Sequence, residues 1–147
     1  MPLTPRAWRP GDPVLDHVRR IYDEFGLGFD PEFEDDLEDV GEHYASGAFW
    51  VVEEDGRLLA TAGVVPHGGT RLIKRIYVAA EARRRGFART LLRKCAAWGD
   101  FPRTEMWSDV RFFRAHRLYV TEGFTAGHTR VLRDPDLSVE RYFSRAG

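Results

Sequence analysis

The stretch Leu72-Ile73-Lys74-Arg75-Ile76-Tyr77-Val78, followed after a short turn by Arg83-Arg84-Arg85-Gly86-Phe87-Ala88-Arg89, decides how this chain is read. The first run is apolar and β-branched enough to predict a strand, after which Ala88, Leu91, Leu92 and Cys95 recur at helical spacing. A strand, an arginine-laden turn and a glycine-opened helix make a junction suited to a pyrophosphate. The first N–H groups of a helix lack intrahelical partners, and the helix dipole adds partial positive charge at that end. Gly86 lets the main chain take unusual dihedrals and approach an anion closely. From Glu81 to Lys94 the six basic residues Arg83, Arg84, Arg85, Arg89, Arg93 and Lys94 stand against the one acid Glu81, a local balance of +5. The dinucleotide fingerprint Gly-x-Gly-x-x-Gly is missing, and no Gly-Lys-Ser/Thr marks a P-loop. On these residues alone, a phosphate site and a solvated basic face both stay open.

A second motif lies downstream: Ala115-His116-Arg117-Leu118-Tyr119-Val120-Thr121-Glu122-Gly123-Phe124. Taken in order, the two resemble the GCN5-related N-acetyltransferases, the GNAT family. Arg83, Gly86 and Ala88 match its signature Arg/Gln-x-x-Gly-x-Gly/Ala, and Ala115 to Phe124 match its Ala-x-x-Leu-Tyr-x-x-x-Gly-Phe. The likeness covers Ala48 to the end, and the N-terminal third only through its predicted elements. It implies a GNAT-like α/β fold in which a mixed, mostly antiparallel sheet is flanked by helices. A parallel strand pair, near Val78 and Trp107, would splay into a V. The implied chemistry is transfer of the acetyl group of acetyl-CoA to a primary amine of a small molecule or peptide, by direct attack in a ternary complex.

The same resemblance implies the site residues. Ile76, Tyr77 and Val78 would pair with the pantetheine like an added strand. Backbone amides from Arg84 to Arg89 would cradle the pyrophosphate, giving a cofactor set of Ile76, Tyr77, Val78, Arg83, Arg84, Arg85, Gly86, Phe87, Ala88 and Arg89. The Val78 N–H would face the thioester oxygen, and Tyr119 would protonate the departing thiolate. Two positions depart from the family pattern. Lys74 stands where a glutamate base is usual, and Phe112 where an asparagine is frequent. Glu105, Asp109, His67, the acidic segment near Glu42 or a water chain are the substitutes for the base, and Phe112 offers an apolar contact to the pantetheine instead of a hydrogen bond. The Lys74 departure also motivates an alternative, a CoA-binding sensor or interaction module without catalysis.

The remaining sequence bounds these readings. A chain of 147 residues, 43% hydrophobic and 13% aromatic, suits one domain with one sizeable core. Its net charge of −1 argues against a dedicated nucleic-acid binder. Eight acids between Asp30 and Glu42, with no Lys or Arg among them, favour a cationic acceptor, although acidic helices are usually solvated surface. Phe29, Phe33, Trp50 and Trp107 are candidates for a pocket or for the core. The lone Cys95, on the apolar stripe of its helix, reads as a core residue. His17, His43, His67, His116 and His128 show no paired zinc spacing, so no metal is expected. No apolar run approaches the ~20 residues needed to span a bilayer, and Met1-Pro2-Leu3-Thr4-Pro5-Arg6 lacks a signal-peptide core, so a cytoplasmic protein is expected. A homodimer, through a strand edge or an apolar helix face, is left open.

The pattern of elements runs as follows. Asp12-Pro13 signals an N-cap for a helix on which Val14, Val18, Ile21, Tyr22 and Phe25 share a face. A weaker helix is predicted from Asp35 to Tyr44. Strands over Ala48–Glu53 and Leu58–Val65 flank the hairpin signal Asp55-Gly56. Pro66 to Thr70 reads as a turn into the strand ending at Val78. Thr104–Ser108 reads as a strand, Phe112–Glu122 as a helix, and Phe124–Leu132 with Val139–Phe143 as an edge pair.

Overall fold

The computed structural model describes residues 3–147; Met1 and Pro2, the start of the leader, lie outside the described residues. Strands β1 (Arg6–Ala7), β2 (Ala48–Glu54), β3 (Arg57–His67), β4 (Thr70–Val78), β5 (Arg103–Asp109), β6 (Thr125–Val131) and β7 (Val139–Ala146) form one sheet in the order β1-β2-β3-β4-β5-β7-β6. Every neighbouring pair is antiparallel except β4 and β5. Helices α1 (Val14–Phe25) and α2 (Val40–His43) cover one face, and α3 (Phe87–Ala96) and α4 (Phe113–Thr121) the other.

Coverage on both faces explains why Leu58 to Val64 is buried throughout and does not alternate with solvent. On the α3 side, Leu91, Leu92 and Cys95 pack with Ala60, Ile73 and Phe143; on the α1 side, Val14, Val18 and Tyr22 pack with Val51 and Leu58. Burial pushes the Cys95 thiol pKa up, as befits a core residue. The β2–β3 hairpin turns through Asp55 (φ 53°) and Gly56 (φ 78°), the doubly left-handed pair that a two-residue turn between twisted strands demands.

Several sequence-based expectations need correction. The Asp35–Tyr44 helix breaks into a 3-10 turn, Asp35–Leu37, and the four-residue α2, because Asp36 is drawn inward and Asp39 caps α2 by accepting from the Glu42 N–H at 3.1 Å. Asp12 does not cap α1: its carboxylate takes two bonds from the Arg6 guanidinium, at 2.8 and 2.9 Å, and one from the Arg9 N–H at 2.8 Å. Those contacts fix the leader from which β1, not foreseen, pairs with β2. Pro66 lies within β3, leaving Gly68-Gly69 at the turn. Strands β6 and β7 do form the edge pair, in reversed spatial order, since β7 lies between β5 and β6.

The feature that shapes everything downstream is the brevity of the parallel pairing. Strands β4 and β5 are in register only at Arg71↔Thr104 and Leu72↔Glu105. That end is locked. The buried Arg71 guanidinium donates to the Thr104 hydroxyl at 2.6 Å and to the carbonyls of Trp98 and Gly99 at 2.5 and 3.2 Å. Glu105 accepts from Thr70 at 2.9 Å and from Tyr142 at 2.7 Å. Beyond Leu72 the strands part. Arg75 takes a left-handed φ of 62° at a bulge where the β3–β4 register slips between Thr61 and Gly63.

Such a conformation in a non-glycine residue is held by its surroundings. The Arg75 guanidinium grips Asp36 through Nη2–Oδ1 (2.6 Å) and Nε–Oδ2 (3.0 Å) and donates to the Tyr22 hydroxyl at 3.0 Å. Tyr44 donates to the same carboxylate at 2.6 Å. Burial alone would raise the Asp36 pKa, but the Arg75 bonds and charge, helped by Tyr44, hold it at about 2.

Two consequences are measurable. Asp36→Asn leaves the Arg75 guanidinium buried without its countercharge and is expected to cost about 3 kcal/mol or more, read from the urea midpoint. His17, fully buried on α1, is the second. Burial, reinforced by the Arg20 charge, pushes its pKa down to about 4 from 6.5. The unfolded chain therefore binds a proton that the native ring refuses, so stability falls as pH drops from 6.5 to 4, by roughly 3 kcal/mol. Glu34, raised by burial, works in the opposite sense. Denaturation curves between pH 4 and 7 should be flatter for His17→Gln, which does not titrate.

Candidate active site

The gap left between β4 and β5 opens on two cavities. One, of about 510 Å³, lies between α1, the loop before α3 and α4, and is lined by Val78, Arg83, Arg84, Ala88, Arg114 and Leu118 among others. The other, of about 260 Å³, lies on the α1 and β6–β7 side, with Glu34, Lys74, Trp107, Asp109, Arg130 and Glu140 in its wall. Ile76, Tyr77, Ser108, Phe112 and Tyr119 line both. The two spaces therefore meet at the mouth of the V.

Strand alternation decides which backbone groups face the gap. The Ala79 N–H donates to the Leu59 carbonyl at 2.8 Å, and Tyr77 is the register partner of Thr61. Tyr77 and Ala79 thus direct their backbone groups to β3, and Ile76 and Val78 direct theirs to the opposite edge, where β5 has moved away. The exposed edge is consequently Ile76 and Val78, while the Tyr77 side chain packs edge-on against Tyr22 with ring centroids 5.9 Å apart.

At the start of α3, Gly86 has φ 82° and no side chain caps the helix. The first rung is Thr90 N–H to Gly86 O at 3.0 Å, so the N–H groups of Phe87, Ala88 and Arg89 lie ahead of it without intrahelical partners. A Cβ on Gly86 would meet no atom within 4 Å. Arg83, Arg84 and Ala88 line the larger cavity; Arg85, Gly86, Phe87 and Arg89 do not, and the Phe87 side chain belongs to the core. Their contribution is confined to main-chain groups and field.

That field is smaller than the bare count of +5 suggests. Arg83 pairs with Glu24, Arg85 approaches Glu54 at 4.0 Å, and Arg89 and Arg93 share Glu122 at 2.8 and 3.1 Å. Among the described residues Arg84 and Arg114, both on the cavity wall, have no carboxylate partner. Sequence proximity counted charges that the fold neutralises from elsewhere.

Tyr119 sits at the junction, 3% exposed. Burial raises its phenol pKa well above the ordinary value, with Ser108 offsetting part of the effect, so it stays protonated at neutral pH. Phe112 also sits there, its ring 4.7 Å from Phe25 and 5.7 Å from Tyr77, presenting an apolar surface to both cavities.

The substitutes for a base separate clearly. Glu105 bonds His67 at 3.1 Å at the locked end of the V, and neither residue lines a cavity. Glu42 is exposed on α2 and lines neither. Asp109 does reach the smaller cavity, but Arg111 holds it through two bonds of 3.0 Å. Glu34, which sequence reasoning counted only as one acid of a segment, lines that cavity, accepts from Tyr22 at 3.1 Å and from the Asp30 N–H at 2.8 Å, and has its pKa raised by burial. No local pattern in the sequence distinguishes it from its acidic neighbours, since its burial depends on Tyr22 in α1, 12 residues earlier.

Lys74 lines the same cavity. Its Nζ lies 3.2 Å from His43 Nε2, and burial lowers its pKa against the pull of Asp36, Asp35 and Glu140. The other acids of the Asp30–Glu42 segment do not line the cavity: Asp36 is consumed by Arg75 and Tyr44, and Asp39 by the α2 cap. Of the four aromatics singled out, Phe33 and Trp107 line this cavity; Phe29 packs on Tyr22, and Trp50 packs in the core beneath Lys94. Among the described residues no group of three or more His, Cys, Asp or Glu could hold a metal ion, and no helix is long and apolar enough to cross a membrane.

Comparison with known proteins agrees with this geometry. No curated protein matches the sequence significantly. Among solved structures, a GNAT-family acetyltransferase from Staphylococcus aureus Mu50 superposes with a TM-score of 0.82 at 17% identity, over 98% of both chains. An acetyltransferase from Streptococcus agalactiae does so with a TM-score of 0.79 at 16% identity, over 100% of this chain and 99% of that one. A spermidine N-acetyltransferase from Vibrio cholerae, solved with CoA and spermine, gives 0.69 at 20% identity, over 99% and 95%. At these identities the likeness speaks for the fold. The model of the acetyltransferase (GNAT) domain matches residues 45–126, a span holding β2 to α4, the Gly86 turn and Tyr119, and with it the chain belongs to the GNAT family.

Proposed function

We propose that the protein is an acetyl-CoA-dependent N-acetyltransferase that moves the acetyl group to a primary amine of a small molecule or short peptide within a ternary complex. The observation that carries this reading is the meeting of two cavities at Tyr119. The larger takes the cosubstrate. Its pantetheine pairs with the edge presented by Ile76 and Val78, and its pyrophosphate receives the free N–H groups at the α3 start, with Arg84 and Arg114 as unpaired cations beside it. The smaller admits the acceptor. Membership of the family and the CoA- and spermine-bound relative both support this division.

In this reading the acceptor ammonium first gives up a proton, since only the neutral amine has a lone pair. Four carboxylates line the acceptor cavity: Glu34, Asp109, Asp134 and Glu140. Asp109 and Glu140 are tied to Arg111 and Arg130, and the pKa of Asp134 is lowered, so Glu34, with its raised pKa, is the one suited to accept the proton. The amine nitrogen then bonds to the thioester carbonyl carbon, and the Val78 N–H receives the developing oxyanion. As the C–S bond breaks, the Tyr119 hydroxyl protonates the thiolate, and the extra proton on the newly acylated nitrogen is released and restores the phenol.

Thiol release from acetyl-CoA, screened across small amines and basic peptides, tests the whole reading. Stabilisation by CoA with no thiol release from any of them would leave a binding module in its place. In an active protein Tyr119→Phe is expected to lower kcat about 100-fold with acetyl-CoA affinity unchanged; undiminished turnover removes Tyr119 from the mechanism. For Gly86→Val, a Cβ clashes with nothing in the protein and only the left-handed φ is strained, a cost of about 1–2 kcal/mol in stability. A loss of CoA affinity exceeding tenfold, measured by calorimetry, is expected because the added side chain stands where the diphosphate approaches.

A further inference from the structure

We propose that His17 is a positioning residue for acetyl transfer: its Nε2–H, donated to the Tyr77 carbonyl, orients and polarises the Tyr77–Val78 peptide so that the Val78 N–H meets the thioester oxygen. The inference rests on the proposed function above. It concerns a residue of α1 that lines neither cavity and touches no reacting atom.

The geometry is specific. His17 Nε2 lies 3.1 Å from the Tyr77 oxygen. A carbonyl can only accept, so Nε2 carries the proton and the neutral ring holds its lone pair on Nδ1. The Tyr77 carbonyl and the Val78 N–H belong to one planar trans peptide and point in opposite directions. Fixing the carbonyl towards β3 and α1 therefore fixes the N–H towards the gap. A hydrogen bond accepted by the carbonyl also polarises the amide, making its N–H a stronger donor.

A purely structural account of His17 is weak on the same facts. The Tyr77 oxygen already points at Thr61 across the β3 ladder, so it is not an orphan needing rescue. The ring is fully buried, its Nδ1 makes no hydrogen bond of good geometry, and the Leu58 carbonyl is the other backbone acceptor near it. An unpaired buried polar atom is destabilising, a cost that an apolar side chain of similar size would avoid. What the imidazole supplies, and an apolar ring does not, is a second donor on the carbonyl behind the Val78 N–H.

The carbonyl carbon of bound [1-13C]acetyl-CoA reports the strength of that N–H without any acceptor present. On binding to the wild type its NMR resonance is expected to move downfield of the free position. In His17→Phe the bound resonance should move back towards the free value while the dissociation constant stays within about twofold, and kcat with any amine the screen identifies should fall roughly tenfold. In His17→Gln, which keeps a donor, the resonance should return towards that of the wild type. If the wild type fails to bind acetyl-CoA, the proposed function falls. If it binds and the resonance is the same in wild type and His17→Phe, the role of His17 falls alone. Should His17→Phe not fold, the tautomer decides: 15N-labelled histidine in the wild type must show the neutral Nε2–H form for His17 at pH 7, and an Nδ1–H form would overturn the assignment.

Discussion

Two rungs of parallel pairing, Arg71↔Thr104 and Leu72↔Glu105, are the constraint on which this molecule is organised. A parallel sheet normally gains by continuing its ladder, and here the ladder stops after Leu72, short of the bulge at Arg75. An exposed strand edge inside a protein is a liability unless something fills it. In this chain the unpaired edge faces a cavity lined by Tyr119, Phe112 and Ile76, the space that the proposed function gives to the cosubstrate. The buried Arg71 ties β4 to β5 at one end, and the Arg75–Asp36 pair ties β4 to the 3-10 turn at the other.

Much of this could be read from residues with local rules. Apolar periodicity located α1 and α3, Asp55-Gly56 located the β2–β3 turn, and the Gly86 turn and the Ala115–Phe124 motif located the start of α3 and the course of α4. What escaped depended on partners distant in sequence. The Asp35–Tyr44 segment has helical spacing, yet Asp36 leaves that pattern to meet Arg75, which stands 39 residues later. No periodicity within the segment encodes such a pairing. Short β1 escaped for the same reason, since its pairing depends on an edge of β2 that only the finished sheet creates.

Electrostatics shows the limit most plainly. Counting charges along the sequence made the Arg83–Lys94 stretch strongly basic and the Asp30–Glu42 segment strongly acidic. Folding sets Glu24, Glu54 and Glu122 against the first and Arg75 against the second. The cavity-lining charges left without an ion-pair partner are few among the described residues: Arg84 and Arg114 on one cavity, Glu34, Lys74 and Asp134 on the other. Their selection is a property of tertiary structure, and a count by sequence window includes them with the rest.

The buried Arg75–Asp36 pair has a consequence for how the smaller cavity can change shape. It staples the loop carrying Phe33 and Glu34 directly to β4, with Arg75 donating to the Phe33 carbonyl at 3.3 Å. Loop and strand therefore move as one body, and loosening either partner of the pair frees the 3-10 turn and the left-handed bulge at Arg75 together.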